Sequence, residues 1–314
     1  MNALVGLLLA CACWGISFPL VRALSLDQAQ AVPEASTWCL TSWGLVLRFA
    51  LAAVVLGWWC RASLVKLTRA EWGQAAGLGL FTAGGMLLQM DSLSYANAST
   101  VAFLTQCYVV WIPLLAALRT RIPPSLRTAL CIATVLVGVA VLAGVDPAHL
   151  ALGRGELEAI GCSVLFTGQI LWAERTVYAA NRPEAVGVLS FAISALAFVP
   201  VVLGTAPSVD VLVRLYADPW RIALLLVLAV VSTGIGMLLM FRWQRFVGAT
   251  AAAVVYCTEP IWASMMAFVA PGLLSLALGI DYGNERLTGI LLCGGSLIIL
   301  ANLGMQWQPA RRGS

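Results

Sequence analysis

A chain of 314 residues that is 61% hydrophobic and 10% charged is far more apolar than a soluble domain, where charged residues make up about a quarter. Nearly all of it must lie in lipid, and a net charge of +4 dispersed among the connections offers no basic face for nucleic acid. Nine cysteines without a CxxC pair, a single histidine (His149) and no HExxH, glycine-rich phosphate loop or Ser/His/Asp set argue against a disulfide framework, a metal site and the common hydrolytic chemistries, so no cofactor is expected.

About twenty apolar residues cross the roughly 30 Å hydrocarbon core as a helix. Ten such stretches are predicted, at 3 to 23, 40 to 60, 72 to 94, 98 to 118, 126 to 145, 157 to 178, 185 to 204, 220 to 241, 248 to 270 and 287 to 306. The first is read as a retained span, because its head carries no charge and no small-residue cleavage site follows its apolar run. Ser25 to Cys39 forms a long first connection, and an apolar insertion, Pro271 to Gly283, separates spans nine and ten.

In span two, Leu47-Arg48-Phe49-Ala50 resembles Leu189-Ser190-Phe191-Ala192 of span seven. Span three carries Gly85-Met86-Leu87-Leu88, which recurs 151 positions later in span eight as Gly236-Met237-Leu238-Leu239. Thr100 then stands against Thr250, and Val110 against Pro260. Each unit holds five spans, and an odd number of crossings forces the second copy into the bilayer upside down. The expected fold is an all-α membrane protein of ten transmembrane helices in two inverted five-helix repeats, residues 1–148 and 149–314.

Orientation follows from Lys and Arg in the connections, whose excess marks the cytoplasm. Arg61, Lys66, Arg69, Arg119, Arg121, Arg127, Arg175, Arg182, Arg242, Arg245, Arg311 and Arg312 fall on one side; Arg22, Arg154, Arg214, Arg221 and Arg286 fall on the other. Both termini are therefore expected in the cytoplasm. Asp91 should emerge at the outer surface, and Glu174, beside Arg175, at the inner one.

An ionisable side chain at mid-depth costs about 2.5 to 3.5 kcal/mol, so its presence points to a partner or a water-filled path. Arg48 and Glu259 fit that description. Glu259 could hold a substrate amine or a proton, and Arg48 could pair with it or grip a substrate carboxylate through its N–H fork; a structural ion pair, or an Arg48 snorkelling outward, is the alternative. Gln106 and Gln169 lie at mid-depth and could orient a solute or join helices, and Gln89 sits nearer the outer third of span three. Trp14, Trp111, Trp172 and Tyr256 could form apolar walls or pack against neighbours. Trp58, Trp59, Trp72, Trp220 and Trp307 fall at span ends as an interfacial belt. Pro113 and Pro260 each remove a backbone hydrogen bond inside a span, which suits hinges or simple packing kinks.

Trp14-Gly15 with Phe18-Pro19, Leu47-Arg48-Phe49, Leu171-Trp172-Ala173, Glu259-Pro260 and Glu285-Arg286-Leu287-Thr288 together resemble the EamA-like branch of the drug/metabolite transporter superfamily, over residues 3 to 306. The resemblance implies a ten-helix carrier exporting an amino acid or another small metabolite across the cytoplasmic membrane. The chain departs from the pattern at Arg119-Thr120-Arg121, where an acidic residue is usual, and at Val110, where a proline is.

The reading is a secondary transporter working by alternating access. Arg48, Glu259, Gln106, Gln169, Trp14, Trp172 and Tyr256 bind the solute, and Pro113 and Pro260 act as hinges. Its partners are a small-molecule substrate, protons if Glu259 carries them, and the bilayer, with the chain a monomer or homodimer. Two other classes stay open: an intramembrane enzyme acting on a lipid-like substrate, and a non-transporting assembly subunit.

Overall fold

The computed structural model describes residues 3–142, 152–173, 175–247 and 255–306. His149, Glu174, Trp307 and the start of the ninth predicted span lie outside the described residues.

The first span is longer than predicted. α1 (Ala3–Gly15) and α2 (Ser17–Ala31) form one apolar rod of 29 residues, interrupted at Ile16, where Pro19 denies Gly15 its hydrogen bond. The stretch Ser25 to Ala31, predicted as loop, continues the helix because no breaker occurs before Pro33; Val32 then leaves the helical region, which a residue before proline avoids. Ser36 accepts from the Cys39 N–H and opens α3 (Thr37–Trp59). α4 (Arg69–Ser92) starts with a capping box in which Thr68 and Glu71 satisfy each other's backbone N–H groups.

The fourth span is broken into α5 (Ala98–Thr105) and α6 (Tyr108–Thr120), and α7 (Leu126–Leu142) follows. In the second half come α8 (Arg154–Ala173), α9 (Pro183–Thr205), the short α10 (Val209–Arg214) and α11 (Pro219–Val227). α11 runs through a nine-residue π-helix, Leu228–Gly236, into α12 (Met237–Val247). The ninth span contains α13 (Glu259–Ala267), and a 50° bend leads to α14 (Ala270–Leu278). The predicted apolar insertion is thus a helix closed by Gly279 at φ +68, with Ile280 and Tyr282 packed on Ala23 of α2. α15 (Gly289–Gln306) ends the described chain.

The protein is a membrane protein whose described regular elements are all helical. Among the described residues five rods are long and apolar enough to cross a bilayer, or six counting the bent α13–α14 pair. α4 and α8 fall short in apolar character because their neighbours are helices: α4 packs against α8, α9 and α3, so its Thr82 and Gln89 meet protein. Large apolar side chains instead cover the outside, among them Val54, Leu118, Leu196, Leu203 and Leu300. Trp58 and Trp59 are 74% and 82% exposed at the end of α3, as an interfacial belt requires.

Small residues bring the rods together. Gly138 of α7 and Gly294 of α15 face each other so closely that a methyl on either would sit 2.9 Å from the other's carbonyl oxygen. Phe49 of α3 meets Phe191 and Phe198 of α9, with ring centroids 5.9 and 5.8 Å away. Most cysteines are core filler, with Cys11, Cys39, Cys60, Cys107, Cys162 and Cys257 buried.

Candidate functional site: an intramembrane chamber

The helices enclose a chamber of about 160 Å³ to which α1, α3, α4, α8, α12 and α13 all contribute. That volume matches the engineered 150 Å³ apolar cavities that hold a benzene molecule. Its walls are mainly apolar and carry a few convergent polar groups, the usual make-up of a small-molecule site.

Arg48 is one of those groups. Phe49 locks the rotation of α3 against α9, which turns the preceding residue toward α4 and the π-helix. The guanidinium is buried and donates from Nε to Thr233 Oγ1 at 2.5 Å and from Nη2 to Ser232 Oγ at 2.8 Å, while Nη1 lies 3.7 Å from Met90 Sδ. No described carboxylate is within ion-pair distance of it; the ion pairs of the structure join other residues. Arg48 is a cation held by neutral hydroxyls, which neither pairs with Glu259 nor snorkels outward.

Glu259 opens α13 directly after the helix interruption at Cys257–Thr258, and its side chain faces the chamber. None of the described residues donates a hydrogen bond to it or pairs with it. The chamber therefore holds a carboxylate and a guanidinium that leave each other's charge uncompensated.

Around these two, Tyr256 donates to Gln244 Oε1 at 3.0 Å and packs on Trp14 with centroids 5.7 Å apart. Gln89 donates to Thr105 Oγ1 at 3.2 Å, and the Tyr108 hydroxyl to Gln106 Oε1 at 2.8 Å. Trp14, Gln169, Tyr256 and Gln89 all line the chamber.

Two expected lining residues do not. Gln106 sits buried at the break between α5 and α6, where its own carbonyl oxygen is occupied by Tyr108; the break rotates it away from the cavity. Trp172 packs over Gly77, Phe81 and Tyr178 between α4 and α8, with the Arg175 guanidinium 4.6 Å from its ring centroid. Three residues after Gln169, it is turned about 60° further round α8, toward α4 and out of the chamber wall. Trp111 likewise ties α6 to α8 through Ser163 at 2.8 Å.

The hinges also differ from expectation. The fourth span breaks at Gln106–Cys107, more than a turn before Pro113, which lies inside α6. Pro260 stands in the first turn of α13, a position where a missing N–H costs nothing, and the interruption precedes it. Asp91, expected at the outer surface, is wholly buried because Arg154 covers it at 2.6 Å and Thr41 donates to it at 3.3 Å. Sequence inspection missed Ser232, Thr233 and Tyr108, as well as Met86, Met237 and Met240 of the walls; the 151-residue offset held part of that information.

The family model for EamA-like transporters matches residues 1–144. No curated protein matches the chain. A solved crystal structure is similar over 93% of this chain and 95% of its own, with 18% identity and a TM-score of 0.53, a likeness that shows the fold alone.

Proposed function

We propose, from the match of residues 1–144 to the EamA-like transporter family of the drug/metabolite transporter superfamily, whose members are transporters, that the chain is a secondary transporter that exports a small polar metabolite from the cytoplasm by alternating access. In this reading the protein sits in the cytoplasmic membrane with both termini inside, and it consists of two inverted five-helix repeats, residues 1–148 and 149–314.

The observation that carries it is the pairing of the chamber's walls. Thr82 and Thr233, Met86 and Met237, Gln89 and Met240, Thr105 and Tyr256, and Tyr108 and Glu259 all line it, and each pair is 151 positions apart. Trp14 with Phe166 and Ser17 with Gln169 line it at an offset of 152. A cavity whose lining repeats at the offset of the duplicated motif lies where two related halves face each other. The helix interruptions obey the same spacing, Gln106–Cys107 against Cys257–Thr258.

Packing supports the same symmetry. Exchanging each span for its counterpart turns the α4–α8 contact into α12–α1, and α6–α8 into α13–α1, and all four occur. Equivalent spans meet each other where an axis would pass: α3 and α9 through Phe49 and Phe191, and α7 and α15 through Gly138 and Gly294. Each ion pair also joins residues that the charge bias puts on one side. Glu71–Arg182 is on the Arg-rich side; Asp91–Arg154, Asp27–Arg221 and Glu34–Arg214 are on the other.

Glu259 and Arg48 define the solute. A carboxylate and a guanidinium that do not satisfy each other suit a molecule bearing both an amine and a carboxylate, and the apolar walls with Trp14 and Tyr256 suit a modest side chain. Amino acids have this chemistry. The interruptions in spans four and nine serve as the hinges, and Glu259 can carry a proton when no amine occupies it. Efflux of a radiolabelled amino-acid mixture from proteoliposomes tests the function. Glu259→Gln should abolish it, and a wild-type protein that neither binds nor moves any component would refute the reading.

A further inference from the structure

A second, smaller cavity of about 40 Å³, room for about three waters, lies on the far side of Arg48. Arg48 is common to the walls of both spaces. The four rods around them keep the same order. Along the first span the lining passes from Ser17 of the chamber to Val21 of the second cavity; on α3 Gly44 precedes Arg48; on α4 Gln89 gives way to Met90; and on the α11 rod Leu228 precedes Ser232. Arg48 and its two hydroxyl partners are therefore the partition between two spaces stacked along the bundle.

The repeat explains the second space. Met90, in its wall, stands 151 positions before Phe241, and Val21 stands 152 before Ala173; Phe241 and Ala173 line the chamber toward the opposite end of the bundle. The small cavity is built from the counterparts of the chamber's own far end. Two halves related by inversion have two equivalent ends, and here one is wide and the other narrow.

We propose that the second cavity is the collapsed outer mouth of the solute path, and that Arg48, clasped by Ser232 and Thr233, is the gate between it and the chamber; this rests on the transport reading above. The closed end has an identifiable plug. The Tyr216 hydroxyl is buried beside Gln28 and fits against Gly44 so closely that a methyl there would lie 2.8 Å from it. Gln28 donates to Leu215 O beside it at 3.2 Å. The Asp27–Arg221 and Glu34–Arg214 ion pairs tie the first span and its connection to α11 and α10 above the plug. Opening needs the exposed Glu34–Arg214 pair and the mostly buried Asp27–Arg221 pair to part, and Arg48, which has no described carboxylate partner, to leave two neutral acceptors. The π-helix that carries both acceptors is a segment able to change register, and π-bulges recur at functional sites.

Two substitutions outside the chamber test the path in opposite directions. Gly44→Leu fills the second cavity, so efflux of a radiolabelled amino-acid mixture from proteoliposomes should slow by about tenfold while detergent-solubilised protein binds the mixture as the wild type does. Tyr216→Ala removes the plug and should raise passive leak of the same mixture. Wild-type efflux in Gly44→Leu, or loss of binding together with efflux, would overturn the inference. Should Gly44→Leu fail to fold, Tyr216→Ala decides: increased leak sustains the path, and unchanged leak overturns it. A wild-type protein inert in both assays would instead sink the transport reading itself.

Discussion

Gly85 and Gly236, the first residues of the duplicated Gly-Met-Leu-Leu motif, stand behind equivalent aromatic walls. A methyl on Gly85 would lie 2.4 Å from Phe166 Cε1, and one on Gly236 would lie 2.7 Å from Trp14 Nε1. Ordinary contact begins at 3.4 Å, so Gly85→Ala must push the Phe166 edge away by about 1 Å and Gly236→Ala the Trp14 edge by slightly less. In a filled core such overpacking costs about 1–3 kcal/mol. Both rings front the chamber, however, and can retreat into its space. The loss of folding stability should therefore be less than about 1 kcal/mol, whereas solute affinity should fall by about tenfold, or 1.4 kcal/mol, as the rings take up the cavity. Thermal unfolding in detergent and direct binding of the amino-acid mixture measure the two quantities separately. A full overpacking penalty accompanied by unchanged affinity would show that these rings do not border a solute site.

Glu259→Gln should leave the melting temperature unchanged or raised, because no described residue donates to the carboxylate, while removing amino-acid binding; a large loss of stability would mean a structural role. Thr233→Val leaves the buried Arg48 Nε–H without its acceptor and should cost about 1–3 kcal/mol in denaturant unfolding, with Thr233→Ser restoring most of it. Glu285→Ala strips the remote carboxylate that caps α5 at the Ala98 N–H, 2.9 Å, and the Ser99 hydroxyl, 2.6 Å, with an expected loss of about 1 kcal/mol. At the end of the bundle, the Arg182 guanidinium, aided by the Thr68 N–H, lowers the Glu71 carboxyl to about 2. Its stabilisation is complete above the free carboxylate value of about 4.3 and fades as pH falls toward 2, so Arg182→Ala should flatten the acid limb of a pH–stability curve over that window.

The sequence carried the helical architecture well because a bilayer imposes length and apolarity on anything that crosses it. Every predicted stretch overlaps a helix, although residues 248–254 of the ninth lie outside the described residues. It carried less of what happens within a span. Glutamine and tryptophan at mid-depth look alike whether they face a cavity or a neighbour; only rotation about the axis separates Gln169, in the wall, from Trp172, three residues on and packed against α4. Prolines marked the broken spans but not the breaks, since the freed carbonyl precedes the proline by a turn and the chain can open anywhere near it. The burial of Asp91 was not legible, because its cover, Arg154, is 63 residues away and no local pattern announces it. Arg48 and Glu259 were legible for the opposite reason, since isolated charge in an apolar run has few explanations.

In the proposed two-repeat architecture, duplication supplies shape, and departures from it supply chemistry. Seven pairs of lining residues repeat across the halves, most of them conserving size or apolar character, as in Thr82 with Thr233 and Met86 with Met237. The charged residues break the pattern: Glu259 stands where the first half has Tyr108, and Arg48 where the second has Ser190. A fully symmetric chamber would give a bound solute two equivalent poses and no preferred direction. On the transport reading, one carboxylate and one guanidinium, each from a different half, would fix a single pose for a molecule with two unlike ends and would make any motion of one half against the other act unequally on those ends. Exchanging the pair's halves, with Tyr108→Glu and Glu259→Tyr together, should therefore keep the cavity's volume while lowering amino-acid affinity by far more than its effect on stability; equal affinity in the swapped protein would show that charge in the chamber does not orient the solute.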